Sequence, residues 1–86
     1  MAEYVVVLAR SAEKEVIRLP VMVASRVHQA LDRLAVNPRP PGCKKLKHAQ
    51  NRWRIRVGDY RVLYTINETR SIVDVEAVRH RREAYQ

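Results

Sequence analysis

The sequence predicts an α+β fold: an N-terminal strand, a helical hairpin, then an antiparallel meander of three or four strands, forming one small sheet with the helices on one face. Three observations carry this. A β-branched run, Y-V-V-V-L, occupies residues 4–8. Apolar residues then recur at helical spacing on both sides of Pro20. From Asn51 onward the pattern changes to period-two alternation, interrupted at Gly58-Asp59 and at Asn67–Arg70. With 86 residues, 47% of them apolar, the chain reads as a single folded domain spanning 1–86.

Taken in order, Tyr4 to Leu8 is a short continuous apolar run, the pattern of a strand inside the sheet and covered on both faces. Ser11 is the expected N-cap of a first helix over Ala12–Leu19, with Glu13 and Glu15 near its positive end. Val16 and Leu19 face inward, flanked by Ala12 and Ile17. Pro20 breaks the pattern or opens the second helix. From Val21, the residues Val23, Val27, Ala30, Leu31, Leu34 and Ala35 form one stripe, which ends before Asn37-Pro38. Asn37–Gly42 is a loop, and Lys44 to His48 is a basic stretch able to form a short edge strand. Lysines there suit edge protection and phosphate contact equally. The hairpin follows: Trp53, Ile55 and Val57 alternate with Arg52, Arg54 and Arg56, then Gly58-Asp59 turns the chain into a strand over Tyr60–Ile66. Ser71–Val78 reads as the last strand and 79–86 as a short tail.

The charge is +8 and uneven, +2 over residues 1–43 and +6 over 44–86. A basic half on a folded domain points to nucleic acid or an acidic protein partner. Cys43 is the only cysteine, which excludes an internal disulfide and a cysteine-based zinc site and fits a reducing cytoplasm. The N-terminus carries Glu3 where a signal peptide needs positive charge, and its apolar run is too short to span a membrane. No Asp/Glu/His cluster on one element suggests a metal. The reading is a cytoplasmic protein with no membrane partner and no cofactor.

The stretch W-R-I-R-V-G-D-Y-R-V-L-Y, followed after a last strand by H-R-R-E-A-Y, resembles the RelE/ParE superfamily of bacterial toxin–antitoxin toxins. E-V-I-R-L-P, the P-x-P loop and the Leu-Lys pair before the hairpin fit the same layout, so the resemblance covers nearly the whole chain. RelE-type members are ribosome-dependent messenger-RNA endonucleases. ParE-type members share the fold and poison DNA gyrase. The RelE pattern has basic residues on the middle strands, an arginine after the hairpin turn, and a basic residue plus tyrosine near the C-terminus. The matching positions here are Arg54, Arg56, Arg61, Arg81 and Tyr85. Arg54 and Arg56 stand where the best-known RelE enzymes carry lysine, which suits phosphate binding rather than proton transfer.

The resemblance implies a metal-independent endoribonuclease. RNA supplies its own nucleophile, the 2′-hydroxyl, which must be deprotonated while the leaving 5′-oxygen gains a proton. Arginine is too weak an acid to act as base, so Arg54, Arg56 and Arg61 are assigned to clamp the phosphate. Tyr85 is the candidate base, with plain packing as its alternative role. Arg81 is the family's candidate for protonating the leaving group, and His80 is its rival by intrinsic pKa. Lys44, Lys45, Lys47, Arg52 and Arg82 are candidates for holding messenger or ribosomal RNA backbone. Trp53 is assigned to the core ahead of a base-stacking role. The implied partners are mRNA, the ribosome and a cognate acidic, RelB-like antitoxin that folds on binding. The alternative is a ParE-like toxin that binds gyrase and cuts nothing.

Overall fold

Alternating apolar residues in the second half of the chain build most of a sheet, and two amphipathic helices cover one side of it. The computed structural model describes residues 3–47 and 50–82. The elements are β1 (Val5–Leu8), α1 (Arg10–Ile17), α2 (Val21–Val36), β2 (Lys44–Lys45), β3 (Arg52–Val57), β4 (Tyr60–Asn67) and β5 (Ile72–His80). The strands form one sheet in the order β1-β5-β4-β3-β2. β2 to β5 are the expected antiparallel meander, here of four strands. β1 adds a fifth, parallel to β5, with Val5 opposite Ile72 and Leu8 opposite Val75. Among the described residues no helix is long and apolar enough to cross a membrane.

The N-terminal strand departs from the sequence reading. β1 lies at the sheet edge, and Val5 and Val7 are 64% and 44% exposed. Of β1, Val6 and Leu8 pack on the core, with Tyr4 and Ala9 on either side of the strand. A short run without polar alternation does not reveal which of its faces is covered. The first helix also starts earlier than expected, with Ala9 at its N-cap rather than Ser11. The reason is that β5 outruns β1. Past Val75 the outer edge of β5 has no strand beside it, and α1 supplies the partners instead. Ser11 Oγ donates to the Glu76 carbonyl at 3.2 Å, and Glu15 Oε1 accepts the Val78 N–H at 3.0 Å. An exposed strand edge is thereby closed by side chains of a helix.

The second helix matches its expected span. Pro20 is its N-cap, and the Asn37 N–H closes the last turn on the Arg33 carbonyl at 2.8 Å. Gly58 turns the hairpin with φ +60°, while Asp59 stays outside the left-handed region. No atom lies within 4 Å of where a Cβ on Gly58 would sit, so backbone conformation and not space selects glycine there. At the next turn Asn67 Oδ1 accepts the Arg70 N–H at 3.0 Å. Ser71 belongs to that turn, with φ +54°, and β5 runs on to His80.

Val16, Val27, Leu31 and Leu34 from the helices meet Ile55, Val62, Tyr64, Ile66, Val73 and Val75 from the sheet. Each fully buried aliphatic side chain contributes about 1.5–3 kcal/mol. Tyr64 is fully buried, and its hydroxyl donates to the Pro38 carbonyl at 2.6 Å, pinning the proline loop to the sheet. Trp53 packs against the core as assigned, with the Arg39 guanidinium 5.0 Å and the Lys45 ammonium 5.9 Å from its ring centroid.

Candidate nucleic-acid interface

Residues directly opposite each other on neighbouring strands share a face. Arg56 pairs with Arg61, and Arg61 pairs with Arg79, so three guanidinium groups form a row across β3, β4 and β5 on the face away from the helices. The next row holds Lys44, Arg54, Leu63 and Ala77. Beyond it, Arg52 reaches across β4 to Glu76, Nε to Oε1 at 3.0 Å.

The arginines are not one solvated comb. Arg52 and Arg56 are exposed, whereas Arg54 and Arg61 are only 5% and 8% exposed. Arginine stays charged in proteins, so sinking it demands compensation. Arg61 Nη1 donates to the Tyr60 carbonyl at 3.2 Å, and its buried Nε has no acceptor among the described residues. Neither Arg56 nor Arg61 forms an ion pair among the described residues. A buried donor without an acceptor costs about 1–3 kcal/mol. Like charges opposite one another on a sheet add to that cost. A phosphate oxygen over this row would offset the like-charge repulsion.

Arg79 was not singled out from the sequence, for a specific reason. Strict alternation along 72–78 groups Ala77 with Val73 and Val75, which would send Arg79 toward the helices. The ladder between β4 and β5 slips at Leu63/Tyr64: Tyr64 pairs with Val75 but Leu63 with Ala77, leaving Glu76 as an extra residue. The bulge reverses the phase, so Val78 enters the core and Arg79 joins Arg61. The adjacent apolar pair Ala77-Val78 is the only trace of this in the sequence.

The remaining candidates divide. Lys44 shares the face of Arg54, whereas Lys45, opposite Trp53, lies on the other side. Lys47 is exposed just after β2. Arg81 is exposed beyond β5, and its backbone N–H donates to the Asp59 carbonyl at 2.7 Å, which holds it at the hairpin end of the arginine row. His80 pairs with Tyr60 on the opposite face, edge to face at 5.4 Å. Its Nδ1 accepts the backbone N–H of Arg82 at 3.3 Å. His80 is therefore not brought to Arg61. Tyr85 and His48 lie outside the described residues. Arg33, Pro40, Gly42, Lys44, Arg54 and Arg56 border a cleft of about 390 Å³ at the β3 edge. Burial pushes the Tyr64 phenol far above its ordinary pKa, with Cys43 beside it adding to the shift, so Tyr64 is neutral and no candidate base. Among the described residues no group of three or more His, Cys, Asp or Glu converges as a metal site would require.

A model of the family described as "ParE toxin of type II toxin-antitoxin system, parDE" matches residues 6–85. Solved structures similar to the chain include the archaeal RelE-RelB complex from Pyrococcus horikoshii, with TM-score 0.83 and 26% identity over 95% of this chain and 99% of that one. The RelBE2 toxin-antitoxin complex from Mycobacterium tuberculosis matches with TM-score 0.81 and 25% identity, covering 91% and 98% of the two chains. The intact E. coli RelBE toxin-antitoxin complex shares the fold at TM-score 0.78 and 23% identity, covering 87% and 93%. No curated protein matches the chain.

Proposed function

The chain belongs to the ParE toxin family of type II toxin–antitoxin systems, and from that premise we propose that it is a RelE-type endoribonuclease that cuts mRNA in the ribosomal A site. The observation that carries this reading is Arg61, sunk into an open sheet face with a donor unused among the described residues and arginine on either side. In the proposed reaction the 2′-oxygen attacks the adjacent phosphorus. The new O2′–P bond forms as the P–O5′ bond breaks, leaving a 2′,3′-cyclic phosphate and a 5′-hydroxyl. Because the nucleophile belongs to the substrate, no metal-activated water is needed. Arg54, Arg56 and Arg61 bind the phosphate and stabilise the charge that grows on it. Tyr85 takes the 2′ proton. Arg81, tied to the hairpin end of the row, serves the leaving oxygen, a role for which His80 faces the wrong way. Lys44, Lys47, Arg52 and Arg82 hold flanking backbone, and Lys45 contributes from the Trp53 side.

The proposed partners are mRNA, the ribosome and an acidic RelB-like antitoxin, all in the cytoplasm. RelB accompanies RelE in the similar solved complexes, and a +8 domain is complementary to an acidic, disordered partner. The family match itself favours a second reading, a ParE-like toxin that binds DNA gyrase. Primer extension on mRNA from cells briefly expressing wild type or Tyr85→Phe separates the two. Codon-phased cuts in translated regions that vanish in the variant are expected. Growth arrest with intact messages would reject the nuclease, and a gyrase supercoiling assay would then test the rival. Cuts that survive the substitution would retain the nuclease and remove Tyr85 as its base.

A further inference from the structure

We propose that Arg79 is a further RNA-contacting residue of this face, binding backbone phosphate beside the scissile one, and that Glu15 is the positioning residue that holds it there. The inference rests on the nuclease reading above. It starts from the bulge in β5, which puts Arg79 in register with Arg61 and Arg56. Strands about 4.8 Å apart make the row about 10 Å wide, broader than one phosphate group. Arg61 in the middle is buried, so the exposed ends, Arg56 and Arg79, are free to reach backbone on either side of it.

Glu15 fixes one of those ends. Its Oε1 accepts the Val78 N–H at 3.0 Å and its Oε2 accepts Arg79 Nε at 3.2 Å. One carboxylate thus grips the strand edge and the adjacent guanidinium together. Among the described residues Arg79 has no other hydrogen-bond partner, and its side chain is 43% exposed. The Nε contact leaves the terminal nitrogens of the fork available to an incoming phosphate. An ion pair this exposed adds little stability, which makes fold maintenance a poor reason for the arrangement.

The test is single-turnover cleavage of an mRNA with an open A site on purified ribosomes, measured against toxin concentration and salt. The variants are Arg79→Ala, Arg79→Lys, the charge-balanced double variant Glu15→Gln/Arg79→Ala, and Arg26→Ala on the exposed side of α2 as a charge-matched control. Arg79→Ala should raise the half-saturating toxin concentration roughly five- to tenfold while leaving the saturated rate within about twofold. Its salt exponent should fall by about 0.7, the value for one single-strand phosphate contact. Arg79→Lys should recover part of the affinity. The double variant restores net charge and should stay weak. The proposal is overturned if Arg79→Ala behaves like Arg26→Ala, if the double variant returns to wild type, or if the saturated rate falls together with the melting temperature. Absence of cutting by the wild type would instead reject the nuclease reading itself, and the proposal with it.

Discussion

Replacing Tyr64 by Phe removes one hydroxyl and leaves the ring, so it isolates a single bond. That bond runs 2.6 Å to the Pro38 carbonyl from a side chain with no solvent exposure. The variant keeps the packing and strands the carbonyl, which costs about 1–3 kcal/mol. For a domain of this size each kcal/mol moves Tm by about 4–8 °C, so a fall of about 4–24 °C at pH 7 is expected. A second signature follows from proton linkage. Burial raises the folded-state pKa of Tyr64 above the unfolded value near 10. A group with a raised folded pKa stabilises fully below its unfolded pKa and loses that contribution as pH climbs through the folded value. The wild type should therefore begin to lose its advantage over Tyr64→Phe above about pH 10, progressively as the pH rises. Thermal unfolding followed by circular dichroism at pH 7, 9 and 10.5 reads both effects, and comparing the two proteins cancels the titration of every other group. Equal Tm values at pH 7, or a gap that does not narrow on the alkaline side, would refute the reasoning.

Other perturbations test the core, the turn and the cationic face. Leu34→Ala empties a fully buried site and should cost about 3–5 kcal/mol, a large share of the total for a small domain, read as a shifted urea midpoint. Gly58→Ala should cost about 1 kcal/mol through its φ of +60° alone, because the space for the methyl is open. Arg61→Ala should lower the cleavage rate on ribosomes by about 10²- to 10³-fold while the far-ultraviolet spectrum stays native. A rate within threefold of wild type would remove Arg61 from the reaction.

The meander and the second helix were legible because each carries a local signal. Gly58-Asp59 sits between two alternating runs, and the Val23–Ala35 stripe stops at Asn37-Pro38. The position of β1 was not legible. Its neighbour lies at the far end of the sequence, and nothing in Y-V-V-V-L says which side is covered. Ser11 has the chemistry of a cap, but its hydroxyl is drawn to an unpaired carbonyl of β5 that no local pattern announces. The same holds within the site. Arg54, Arg56 and Arg61 could be put on one face by counting twos through a tight turn, whereas Arg79 required knowledge of a one-residue slip. Burial of Arg54 and Arg61 was equally hidden, since alternation assigns a face and not a depth.

The pairing of β1 with β5 bears on when this protein becomes itself during synthesis. Val5 emerges early but finds its strand partner only at Ile72, and the edge that Ser11 and Glu15 cap belongs to residues 76–78. Contacts so distant along the chain cannot form until the intervening loop closes, and such topologies complete late. A nascent chain that stops short of β5 lacks Arg79 and Arg81, and with them one end of its cationic face.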